Sequence, residues 1–101
     1  MSNTAQQIET FRDFAEKELN NHTGELETRY QNRELASNNL LQEAYKAHRK
    51  IFEKELADKI EELLTEENQF LRPALLELKE RFVGKLKTDV LLADEGRLDI
   101  L

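Results

Sequence analysis

Between Glu25 and Arg72 the chain contains no glycine and no proline, and Glu, Leu, Lys, Ala, Arg and Gln dominate its composition. Most of those residue types lose little on entering a helix, and the run is flanked by Gly24 and Pro73, the two kinds of residue that punctuate helix ends. Drawn as one helix it measures roughly 70 Å at about 1.5 Å per residue, whereas a compact chain of this length has a radius of gyration near ~13 Å. The run therefore demands either an elongated molecule or a break that neither glycine nor proline marks.

The rest of the chain continues the helical theme. Thr4-Ala5-Gln6-Gln7 has the form of a capping box, in which a threonine side chain accepts an early backbone N–H and a glutamine reaches back. After it Ile8, Phe11, Ala15 and Leu19 recur at helical spacing, with Phe14 widening the face, so the first helix is expected over 4–21. Asn20, Asn21, Thr23 and Gly24 are turn formers and place its end. A central helix is expected over 24–68. Its apolar stripe is thin between Gln31 and Asn39, and Ser37-Asn38-Asn39 is the one place where short polar side chains can cap a hidden break. Leu40 to Leu64 carries a stripe wide enough to need several neighbours. Pro73 suits the first turn of a last helix over 73–92, burying Leu75, Leu78, Phe82 and Leu86 with Leu76, Val83 and Val90 beside them. Asp94-Glu95-Gly96-Arg97 ends it, leaving a tail over 94–101 in which Leu98 and Ile100 either pack back or form an exposed peptide ligand. No strand pattern competes. The expected fold is all-α, a single domain over 1–101 built as an antiparallel bundle of three or four helices.

Two packings satisfy these lengths. An unbroken central helix leaves the first and last helices folded against its two halves, and a second copy then covers the open stripe in a four-helix dimer, a coiled-coil-like homodimer. A break near Ser37 instead closes a compact monomeric bundle. The length of the run favours the elongated dimer.

Charge and composition narrow the function. The net charge of −6 opposes generic binding to nucleic acid or anionic lipid. Two basic stretches, Lys46-Arg49-Lys50-Lys54 and Arg72-Lys79-Arg81-Lys85-Lys87, are interrupted by acidic residues and read as salt-laced solvent faces. There is no cysteine, hence neither a disulfide nor a thiolate metal site. No window is apolar enough for a membrane span, and the amino terminus shows no basic segment followed by an apolar run, so a soluble cytoplasmic protein is expected.

Candidate chemistry is sparse. Ser2 and Ser37 are the only serines, and neither is near a histidine in sequence. The Glu-x-x-His signature of di-metal helical bundles is absent, because Leu19 and Tyr45 stand three residues before His22 and His48. Glu18 and His22 share a helix face, so a mononuclear site using Glu18, His22 and His48 is a distant reading; boundary histidines satisfied by hydrogen bonds are the simpler one. The sequence thus assigns no catalytic, cofactor-binding or metal-ligating residue, no small-molecule substrate and no cofactor. It points to a non-enzymatic, self-associating helical module for protein–protein interaction, an adaptor, assembly factor or regulatory subunit. Its expected anchors are Leu41, Tyr45, His48, Phe52, Leu56, Leu75, Phe82 and Leu86. The alternative is a monomeric chaperone-like bundle that binds a partner helix.

Overall fold

The computed structural model describes residues 4–35 and 37–92, and every regular element among them is helical. Helix α1 is Thr4–Gln31, α2 is Asn38–Leu63 and α3 is Arg72–Lys87. A 3₁₀ turn, Gln69–Leu71, leads into α3, and a π turn, Thr88–Leu92, continues from its end. The three helices pack against one another around one shared core, in a body of 55 × 19 × 18 Å. The expected tail over 94–101 lies outside the described residues.

The central helix expected over 24–68 does not form as one piece. Residues 25–31 belong to α1, which runs through Asn20, Asn21, Thr23 and Gly24 without stopping. Burial explains why. Phe11, Ala15, Leu19, His22 and Leu26 form one continuous buried stripe, so ending the helix at residue 21 would abandon its last two members. Thr23 turns its hydroxyl back on the Leu19 carbonyl at 2.9 Å, and Gly24 costs the helix only about 1 kcal/mol relative to alanine.

The break falls after α1 ends at Gln31 and before α2 begins at Asn38. The Glu34 N–H donates to the Arg29 carbonyl and the Arg33 N–H to the Tyr30 carbonyl, both at 3.0 Å, the paired bonds of a Schellman end. Arg33 takes the left-handed position at φ 63°, where glycine is the usual occupant. Leu35 then tucks into the core. Ser37 caps α2 as its residue type suggests: its extended backbone (φ −107°, ψ 154°) lets the side chain accept the Leu40 N–H at 3.2 Å.

The second turn comes earlier than the expected end at residue 68. Asn68 accepts the Thr65 N–H through its side chain and donates to the Leu63 carbonyl at 3.1 Å, giving the chain leaving α2 an alternative to further helix. The same amide donates to Gln7 at 2.7 Å, while Gln7 donates to Leu63 at 3.3 Å. Gln7 therefore ties the first turn of α1 to the far turn. Pro73 sits in the first turn of α3, where its missing N–H does no harm. Along α3 the buried face is Leu75, Leu78, Val83 and Leu86, so three of the four expected positions are buried; Val83 is more deeply buried than Phe82, which is half-buried against the core, and Leu76 is exposed.

Candidate functional site

Of the eight expected anchors, Leu41, Tyr45, Phe52, Leu56, Leu75 and Leu86 are buried within the chain's own bundle, and Phe82 and His48 are half-buried. A wide α2 stripe needs several neighbours, and α1 and α3 supply them. What α2 leaves in solvent is a narrower line. Leu40 and Ile51 are about half exposed, and Ala47 lies exposed between them on the same side of the helix. Phe70 and Leu76 are the other large apolar residues left open among the described ones. The basic stretches are laced with acids as expected: Arg49 pairs with Glu53, Lys54 with Asp58, Arg72 with Glu61 and Arg81 with Glu77.

The polar chemistry concentrates where α1 and α2 meet. Along this seam Gln7 contacts Leu63, Phe14 lies under the Lys59 ammonium, His22 meets Glu55, and Glu25 meets His48. His22 is the one buried polar residue among those described, at 7 % exposure, because it occupies a position of the α1 stripe that an apolar residue would normally hold. Its ring lies 5.5 Å from that of Phe52 and edge-on to that of His48, at 5.1 Å.

Both nitrogens of His22 are occupied. Nε2 lies 2.7 Å from Glu55 Oε1, and Nδ1 lies 2.8 Å from Nδ1 of His48. A carboxylate only accepts, so in neutral His22 the proton sits on Nε2 and is donated to Glu55. That leaves a lone pair on Nδ1 to accept from the Nδ1–H of His48. On the outer side Glu25 Oε2 stands 3.7 Å from His48 Nδ1. On the inner side Glu18 joins Glu55. Partial burial first, then the hydrogen bond and negative charge of Glu55, push the Glu18 carboxyl above its ordinary value, against the opposing pull of His22 and Lys17. Burial first, then the charge of His22 with a smaller part from Arg29, pushes His48 below its ordinary value, while Glu25 pulls the other way.

The seam thus holds two groupings whose ligand-type atoms all lie within 4.8 Å of one another: His22, His48 and Glu25 on the Nδ1 side, and Glu18, His22 and Glu55 on the Nε2 side. The two histidines that the sequence leaves as separate boundary residues are in direct contact, and Glu18 belongs to the opposite grouping from His48. Glu25 and Glu55 are the residues sequence reasoning missed. Their signal was present in reverse order, as a glutamate three residues after His22 and another seven after His48, each on the same helix face as its histidine. An open groove borders the Nδ1 side, lined by Asn21, Gly24, Thr28, Arg29 and the two outer members of the grouping.

No family model, curated protein or solved structure matches the chain. Among the described residues no helix is long and apolar enough to cross a membrane.

Proposed function

We propose that the chain is a non-enzymatic helical protein–protein interaction module, an adaptor, assembly factor or regulatory subunit, that self-associates through the exposed flank of α2. The observation that carries this reading is the line Leu40, Ala47, Ile51, which recurs after about two and three turns on a helix whose other large apolar residues are covered.

Charge points to a second copy as the occupant. Two α2 helices laid in opposite directions, centred between Ala47 and Ile51, set Ala47 beside the partner's Ile51 and Glu43 beside the partner's Lys54, and the two-fold repeats both contacts. In the single chain Glu43 only approaches Lys46 at 4.0 Å and Lys54 pairs with Asp58, all four well exposed, so exchanging these pairs costs little. The descending order of contacts along the α1–α2 seam supports an antiparallel bundle within each copy. Ala47 and Ile51 of each copy, with Leu40 at the two ends of the contact, make a small interface, below about 1,200 Å² and in the range of weak, reversible association.

Light scattering over a concentration series tests the proposal. The native chain is expected to rise in mass from 11.9 kDa toward twice that value, and Ile51→Glu to hold it at 11.9 kDa. Glu43→Lys weakens the association, and adding Lys54→Glu restores it. A native chain that stays at the single-copy mass up to about millimolar concentration, the weak limit of specific binding, overturns the reading.

A further inference from the structure

We propose that Nδ1 of His22, Nδ1 of His48 and the carboxylate of Glu25 form a binding site for one borderline divalent transition-metal ion of the zinc type, clipping α1 to α2.

The geometry is close to what such an ion requires. Held at about 2.0–2.1 Å in a tetrahedron, two imidazole nitrogens stand ~3.4 Å apart. The gap between the two Nδ1 atoms is 2.8 Å, and that from His48 Nδ1 to Glu25 Oε2 is 3.7 Å, so the available spacings bracket the required one. Binding parts the two rings by about half an ångström. It also moves the His48 proton from Nδ1 to Nε2, so that both nitrogens facing the ion present lone pairs.

The donor set selects the kind of ion. Two imidazoles and one carboxylate suit zinc and its neighbours in the first transition row, whereas magnesium and calcium prefer oxygen alone. Three protein ligands leave the fourth tetrahedral position to water or an anion, and this position faces the groove where Arg29 stands.

Glu55 is the positioning residue. By accepting the Nε2 proton of His22 at 2.7 Å it fixes the tautomer that leaves Nδ1 without a proton, as carboxylates commonly do behind metal-bound histidines. Glu18 stands behind Glu55 on that side and is not a ligand. The Nε2 side offers a single imidazole nitrogen already committed to a carboxylate, so the ion belongs on the Nδ1 side.

The test uses the full chain, freed of metal by a chelator and titrated with Zn²⁺, with Co²⁺ as a spectroscopic probe and with Mg²⁺ as control. Expected are one Zn²⁺ per chain, a raised thermal midpoint with Zn²⁺ but not with equal Mg²⁺, and the visible absorption of four-coordinate Co²⁺. His48→Gln and Glu25→Ala change partly exposed positions, so circular dichroism should show native helix while Zn²⁺ affinity falls at least about 10-fold. Glu55→Ala is expected to weaken binding about 10- to 100-fold, and Glu55→Gln, whose amide oxygen still accepts, to recover part of the loss. Absence of saturable Zn²⁺ binding by the native chain overturns the proposal, as does an affinity that both His48→Gln and Glu25→Ala leave unchanged.

Discussion

The buried stripe of α1 passes through two environments. At Phe11 and Ala15 it is fully apolar and sealed, both residues being 0 % exposed. Two to three turns later His22 takes the same geometric position and meets a histidine and a carboxylate instead of side-chain carbon. The first level does nothing but bury surface. The second gives up some of that burial to hold ionisable groups in fixed mutual orientation, which is how helical proteins build binding sites on rigid elements.

Truncating the apolar level should do the most damage. Phe11→Ala leaves a cavity at a sealed position and is expected to cost about 3–5 kcal/mol, read as a lower urea midpoint at unchanged slope. The polar level should be more forgiving. His22→Leu keeps an apolar body in the stripe but strands His48 and Glu55, both within reach of water, for a loss of about 1–3 kcal/mol. Adding His48→Leu should recover part of it, because removing both partners leaves less unsatisfied than removing one. A His22→Leu loss as large as that of Phe11→Ala would erase the distinction between the levels.

Gly24 sharpens the contrast with the opposite sign. Nothing lies within 4 Å of a Cβ placed there, so Gly24→Ala should stabilise α1 by about 0.5–1 kcal/mol without crowding the groove. Destabilisation would mean that the helix near His22 is held in a shape alanine resists.

The finest probe is pH, applied to chelator-treated protein. His48, facing His22, Glu25 and Arg29, is held below its ordinary value, so the folded state prefers it neutral. Its contribution is complete above about pH 6.5 and is lost as pH falls through the folded value. Glu18, held above its ordinary value by burial and Glu55, works the other way, favouring the fold below pH 4.5 and losing that contribution as pH rises through the folded value. Urea unfolding at a series of pH values should show the native chain weakening on mild acidification and His48→Gln weakening less. Parallel curves for the two proteins would remove His48 from the account.

Much of the architecture was legible because it follows local rules: an all-helical chain, Ser37 as a cap, Pro73 in a first turn, and alternating charges along solvent faces. The boundaries failed where tertiary structure overruled local chemistry. Gly24 looked like a stop, yet burial of His22 and Leu26 carries α1 through it. The actual stop uses Arg33, a residue type with no preference for the left-handed conformation it adopts. Among residues 32–35 only Asn32 is a turn former, and the left-handed position falls on its neighbour; paired backbone bonds to Arg29 and Tyr30 make the turn. The polar seam was hidden for a different reason. Each histidine sits beside a glutamate at helical spacing in its own helix, but their meeting depends on how α1 and α2 are offset lengthwise, and one-dimensional spacing carries no such information.

The Gln7–Asn68 hydrogen bond has a kinetic consequence. It joins groups 61 residues apart, linking the first turn of α1 to the connection between α2 and α3. The connections between successive helices close over a few residues, whereas this amide pair closes a ring of 61 residues, more than half of the chain, the entropically slower event. It is therefore expected to form after the helices themselves, once α1 lies along the full length of α2. An isotope label on the Asn68 side-chain amide would time the arrival of α1 separately from the formation of the helices.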